Sequence, residues 1–176
     1  MDIVIESGKA NDSDELEQLY NDLNDHLARS VNYPEWIKGV YPVRQNAVDG
    51  VTQGNLYVAR YDGIIIGSLI LSHKPEPAYE KAKWKFASDD YSDIFVIHTF
   101  VVHPNFLKRG VGKALIDFSI EYGIKSHAKS IRLDVYENNI PAIKLYEKCG
   151  FNYINTVDLG LGHYGLKWFR LYERLL

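Results

Sequence analysis

Nine residues, Ile94 to Val102, read IFVIHTFVV and stop at His103-Pro104. A run so apolar and β-branched is the pattern of a well-buried strand. After a short loop, glycines at 110 and 112 open a helix whose apolar stripe is Val111, Ala114, Leu115, Phe118 and Tyr122, with Gly123 near its end. A buried strand feeding a helix through a short loop commits the chain to an α/β architecture.

The rest of the chain extends that unit. Ile3 to Ile5 form a short strand, and Asp12 and Glu15 have the spacing of a capping box. Leu16, Leu19, Tyr20, Leu23 and Leu27 then mark one face of a helix. Tyr33-Pro34 and Tyr41-Pro42 punctuate the next segment, before a short helix near Arg44 to Val51. Asn55–Arg60 and Ile64–Leu71 flank Asp62-Gly63, a hairpin turn signal. His73 to Ser92 reads as an irregular insertion. Ile131, Leu133 and Val135 alternate with Arg132, Asp134 and Tyr136, the pattern of a half-exposed strand. Asn139 caps a helix whose inward face is Ala142, Leu145, Tyr146 and Cys149. Phe151–Val157 and Leu166–Tyr172 supply two last strands. The expectation is one domain over residues 1–176, with a mixed sheet of six or seven strands and helices on both faces.

Lys plus Arg number 20 against 23 Asp plus Glu, and this net charge of −3 argues against a general nucleic-acid binder. Cys149, the single cysteine, can form neither an internal disulfide nor a zinc site alone. The N-terminal MDIVIESGKA lacks the basic region and apolar run of a signal peptide. No stretch approaches the ~18 apolar residues of a membrane span. A cytoplasmic, soluble protein without nucleic-acid, membrane or metal partners is expected, with a homodimer left open.

The segment His103 to Leu115, HPNFLKRGVGKAL, carries the chemistry. Glycines 110 and 112 let backbone N–H groups approach an anion, and a helix N-terminus adds its positive end. Lys108, Arg109 and Lys113 add charge, and no Asp or Glu falls between Asp93 and Asp117. A pyrophosphate suits such a site. The Walker pattern fails because Ala114 follows Gly112-Lys113 and Leu107 stands at its first glycine. The dinucleotide fingerprint fails at Leu115. What remains, [QR]-x-x-G-x-[GA] after a V-x-x-P strand end, resembles the acetyl-CoA loop of GNAT acetyltransferases, with Leu107 at the Gln/Arg position. The segment from Leu133, LDVYENNIPAIKLYEKCGF, resembles the second GNAT signature at every defined position: Asn139, Ala142, Leu145, Tyr146, Gly150 and Phe151.

The resemblance implies an N-acetyltransferase that moves an acetyl group from acetyl-CoA to an amine, with splayed central parallel strands at Ile94–Val102 and Ile131–Val135. Backbone groups of Phe100, Val101 and Val102 would pair with the pantetheine amides. Lys108, Arg109, Gly110, Val111, Gly112 and Lys113 would hold the pyrophosphate, and Asn139 and Ala142 would meet the cofactor arm. Tyr146 would protonate the departing thiolate, the place where negative charge develops. Without the signature, Tyr146 is an aromatic on the apolar face of its helix, and Asn139 a simple N-cap.

Many relatives place a Glu on the central strand; here His98 is its only titratable side chain. Imidazole titrates near neutrality, so His98 is a candidate base, beside the alternative of a structural histidine. Glu137 is the second candidate. Tyr33, Trp36, Tyr41 and Trp84 are candidates for an aromatic acceptor pocket, where an ammonium gains cation–π attraction; each is also an ordinary packing residue. The acceptor is expected to be a small molecule. A catalytically silent module that binds or senses acetyl-CoA is the alternative.

Overall fold

The computed structural model describes all 176 residues. In chain order the elements are β1 (Val4–Ser7), α1 (Ser13–Arg29), α2 (Arg44–Thr52), β2 (Leu56–Tyr61), β3 (Ile64–Ser72), β4 (Ile94–Val102), α3 (Val111–Lys125), β5 (Ser130–Tyr136), α4 (Ile140–Lys148), β6 (Asn152–Val157) and β7 (Phe169–Leu175). The strands form one mixed seven-stranded sheet in the order β1-β2-β3-β4-β5-β7-β6. Most neighbours with a resolved register are antiparallel, but β4 and β5 run parallel over a ladder of three residues, Ile94↔Ser130 to Val96↔Arg132. The chain divides into two compact units, residues 1–71 with 98–118, and residues 72–97 with 119–176.

In the first unit the predicted stripe of α1 is the core: Leu16, Leu19, Tyr20, Leu23 and Leu27 are all buried, with Ala47 of α2, Leu56 and Val58 of β2, Ile65 and Val101. Burying each such side chain contributes roughly 1.5–3 kcal/mol. Tyr57, between Leu56 and Val58, points the other way and packs on Phe118 of α3, ring centroids 4.8 Å apart. The alternation along β2 thus serves helices on both faces of this part of the sheet. Asp62 (φ 50°) and Gly63 (φ 78°) make the two-residue turn that joins β2 to β3.

The capping box at Asp12 and Glu15 does not form. Arg60 of β2 competes for both carboxylates: its Nη2 donates to Asp12 Oδ1 at 2.5 Å, and its Nη1 lies 3.6 Å from Glu15. Glu15 Oε1 also accepts the Ile65 N–H at 2.6 Å. The two acids tie α1 to the hairpin instead of closing its own first turn.

In the second unit the insertion is ordered by what it covers. Of the positions read as a half-exposed face, only Asp134 is half-buried: Arg132 is 0% exposed and Tyr136 is buried, and residues 77–91 lie over the Arg132 side of β5. Tyr79, Val96 and Leu171 form the core beneath the insertion, joined by Trp84, Tyr91 and Ile154. Three further readings shift. The last strand begins at Phe169, since Leu166 makes only an isolated bridge to Leu161. On α4 the buried positions are Ile143 and Tyr146, while Ala142, Leu145 and Cys149 are half-buried. On α3 the buried stripe is Val111, Leu115, Ile116, Ser119 and Gly123, about one residue round from the predicted one, and the helix runs on to Lys125.

Candidate functional site

The first unit carries the predicted anion loop. β4 ends where the His103 N–H donates to the Ile66 carbonyl of β3 at 2.9 Å. A 3-10 turn, Pro104–Phe106, follows. Lys108 (φ 60°) and Gly110 (φ 85°) are both left-handed, and the Gly110 carbonyl takes the Ala114 N–H, so α3 starts here. The first N–H groups of a helix have no acceptor within it, which leaves those of Val111 and Gly112 directed out of the first turn. A Cβ added at Gly110 would meet nothing within 4 Å, so the loop is open on that side. Buried Val111 anchors the turn, and Gly67 of β3 makes room for it. A Cβ there would lie 2.9 Å from the Val101 carbonyl oxygen and 3.0 Å from the Val111 side chain.

Around this turn the cations differ. Lys108 and Arg109 are exposed, and the Arg109 guanidinium lies over the Phe106 ring at 5.5 Å. Lys113 pairs with Asp117 one helical turn on. Leu107 is 42% exposed and brings no hydrogen-bonding group.

Along β4, Ile97, Thr99 and Val101 are buried, and His98, Phe100 and Val102 between them are half-buried. Thr99 has φ 47°, an outlier for a β-branched residue that costs of order 1–3 kcal/mol. Its Oγ1 is hydrogen-bonded to the Tyr41 hydroxyl at 2.9 Å. Nothing in the sequence marks Thr99, since Thr is a good strand former. The structure joins it to a predicted aromatic residue, Tyr41, whose ring meets Trp36 edge-on with centroids 5.2 Å apart. Tyr33, in the same segment, is exposed.

The second unit carries the other signature. Asn139 occupies the N-cap position of α4 (φ −80°, ψ 67°), but its side chain makes no capping bond. Its N–H instead donates to the Tyr136 carbonyl, closing the turn out of β5. Ala142 is half-buried on the same helix. Tyr146 is 5% exposed and packs on Phe151, ring centroids 6.0 Å apart. Glu137 is half-buried, and its N–H donates to the Trp168 carbonyl.

Residues 16–151 match the family model described as the acetyltransferase (GNAT) family. The chain belongs to this family. Among curated relatives, a streptothricin acetyltransferase of Escherichia coli is 35% identical over 69 residues, 39% of this chain and 39% of the relative. A spermine/spermidine N(1)-acetyltransferase of Bacillus subtilis is 25% identical over 99 residues, 56% of this chain and 59% of the relative. A further Bacillus subtilis protein, UPF0157 protein YqkA, is 38% identical over 74 residues, but only 21% of its length is matched. The matched stretches thus span less than two thirds of these relatives. A solved GNAT acetyltransferase of Streptococcus agalactiae has the same fold, with TM-score 0.80, 18% identity, and 99% and 95% of the two chains covered. A putative acetyltransferase of Salmonella typhimurium, solved with acetyl-CoA, superposes with TM-score 0.71 at 13% identity.

Of the aromatic residues read as acceptor contacts in this GNAT chain, Tyr33, Trp36 and Tyr41 belong to the first unit and Trp84 does not. It belongs to the second unit, where the Arg132 guanidinium lies 4.2 Å from its ring centre and its Nε1–H donates to the Tyr79 carbonyl. It lines a cleft of about 770 Å³ with Tyr79, Tyr91 and Arg132. No group of three or more His, Cys, Asp or Glu side chains converges to hold a metal ion. No helix is long and apolar enough to cross a membrane.

Proposed function

We propose that this chain transfers the acetyl group of acetyl-CoA to a primary amine, on a small molecule rather than a protein. The observation that carries the reading is the open turn at the start of α3. There two left-handed residues, Lys108 and Gly110, turn unpaired N–H groups outward in a stretch free of carboxylates. Such a turn fits a pyrophosphate by hydrogen bonding and by the positive end of the helix. The Salmonella typhimurium relative that carries acetyl-CoA supports the ligand. The relatives named for streptothricin and for spermine and spermidine support a small amine as acceptor.

The residues then divide the work. Lys108 to Lys113 hold the pyrophosphate, and the backbone of Phe100 to Val102 pairs with the pantetheine amides. A backbone N–H near Val102 polarises the thioester carbonyl, which stabilises charge as the amine nitrogen bonds to the carbonyl carbon. Asn139 keeps its side chain for the cofactor arm, in accord with its unused cap, and Ala142 leaves space beside it. As the C–S bond breaks, Tyr146 gives its hydroxyl proton to the sulfur, and the proton that the acylated nitrogen then sheds restores the phenol. His98, or Glu137, removes a proton from the ammonium before attack. No covalent enzyme intermediate is needed, since proximity supplies much of the acceleration.

Leu107 and the absence of a strand carboxylate favour one second reading, a module that binds acetyl-CoA without turning it over. Both readings require the ligand. Acetyl-CoA at millimolar concentration should raise the melting temperature, because a ligand that binds only the folded state stabilises it by mass action. No shift overturns both.

A further inference from the structure

One imidazole holds the approach to the α3 turn. The His103 N–H is fixed on β3 by the Ile66 carbonyl at 2.9 Å. Its Nδ1 accepts the Asn105 N–H at 3.1 Å, and its Nε2 faces Asp22 Oδ2 of α1 at 3.6 Å. The ring meets Phe106 edge-on, centroids 5.7 Å apart, and Phe106 in turn carries the Arg109 guanidinium. With its side chain 19% exposed, His103 thus links β3, α1 and the turn that leads to Lys108.

A ring nitrogen that accepts an N–H bears no proton, so the hydrogen of the neutral ring is on Nε2, toward Asp22. The Nδ1 bond closes an i to i+2 turn of the kind Asn and Asp side chains make. Protonation puts a hydrogen on Nδ1 and removes that acceptor, while the Nε2–H facing Asp22 is kept. The loss on protonation therefore falls on the turn. The other groups around this ring and Phe106 are the Ile66 carbonyl, the Asn105 amide, Arg109, and Tyr61 of β2, whose ring centroid is 6.2 Å from that of Phe106.

We propose that His103 is a positioning residue for the acyl donor. Its neutral form holds the Pro104–Phe106 turn, and through Phe106 the Arg109 guanidinium, in the arrangement that takes the pyrophosphate. This rests on the reading of residues 108–113 given above. The sequence alone offers no such role, because a His before Pro at a strand end is unremarkable. The distinguishing information is the pair of bonds, one at each ring nitrogen.

The test is calorimetric titration of the full chain with acetyl-CoA on either side of the ordinary imidazole range, at about pH 8 and about pH 5.5. His103→Asn supplies an Oδ1 that makes the same turn bond and does not titrate. The wild type should lose about 3- to 10-fold more affinity than His103→Asn on acidification, the fold-change of one hydrogen bond. The ligand's own phosphates titrate alike in both proteins and cancel from the comparison. His103→Ala should bind weakly at both pH values with its circular dichroism unchanged. Parallel profiles for wild type and His103→Asn overturn the positioning role and leave the acetyl-CoA site standing. No binding by either protein at either pH overturns both.

Discussion

Arg132 Nε lies 3.3 Å from Glu173 Oε1 with both side chains sealed from solvent, 1% and 0% exposed. Every other polar atom of the pair is used. Arg132 Nη1 donates to the Tyr91 hydroxyl at 2.7 Å, and Nη2 to the Phe86 carbonyl at 2.5 Å. Glu173 accepts the Ser130 hydroxyl at 2.9 Å and the Lys85 N–H at 2.7 Å. The pair therefore fastens the insertion onto β5 and β7 of the second unit. A buried pair adds little net stability over apolar residues, but neither half can be removed alone.

Arg132→Met or Glu173→Gln should each destabilise the protein by about 3–5 kcal/mol, because each leaves a buried partner uncompensated. The double variant that combines the two substitutions should cost clearly less than the sum of the two. Urea denaturation measures all three, and additive losses would mean that the pair is not coupled.

Tyr79 predicts an alkaline limit. Burial first, then the neighbouring Asp134 carboxylate, to which its hydroxyl donates at 2.6 Å, hold its phenol well above the ordinary value of 10.0. Above that value the unfolded chain loses the proton while the folded one keeps it, so stability falls as pH rises. The contribution is whole below pH 10.0 and declines above it. Tyr79→Phe should flatten the fall of stability with alkaline pH. An unchanged slope would show that Tyr79 does not govern it.

The strand and helix order was legible because the main elements carry strong patterns, the periodic stripe of five buried residues on α1 and the continuous apolar run of Ile94–Val102. The tight turn into α3 was legible because glycine at 110 has a backbone reason, its φ of 85°. What escaped was tertiary. Arg132 reads as a solvent residue in any strand pattern, and only an insertion folding back over β5 buries it. Thr99 and His103 look like ordinary strand and strand-end residues, and their partners, Tyr41 and Asp22, are distant in the chain. The Asp12/Glu15 box failed for a similar reason, since Arg60 takes both acids.

Gly110→Leu separates folding from binding. Nothing lies within 4 Å of a Cβ there, so the new side chain leaves the backbone into open space. Its backbone cost is about 1–2 kcal/mol for the left-handed conformation. The apo protein should melt only a few degrees lower, and the rise in melting temperature with acetyl-CoA should vanish. A full ligand shift in the variant would remove the turn from the binding site.

His98→Gln tests the proton acceptor. Gln keeps much of the hydrogen bonding of the half-buried imidazole but does not titrate. The rise of kcat/KM with pH should lose one limb in the variant, and activity should partly recover at high pH, where free amine is present unaided. A variant profile that overlays the wild type assigns His98 a structural role and turns attention to Glu137.

Release of the free CoA thiol, followed with acetyl-CoA and a panel of amines that includes polyamines and streptothricin, addresses the transfer itself. The wild type should release thiol only when a suitable amine is added, and in proportion to acetylated product. Tyr146→Phe, one hydroxyl smaller and otherwise able to pack on Phe151, should keep its acetyl-CoA affinity and lose roughly 10²-fold in kcat, the scale of a missing general acid. A protein that binds acetyl-CoA yet releases no thiol with any amine would contradict the account and make the chain a binding module.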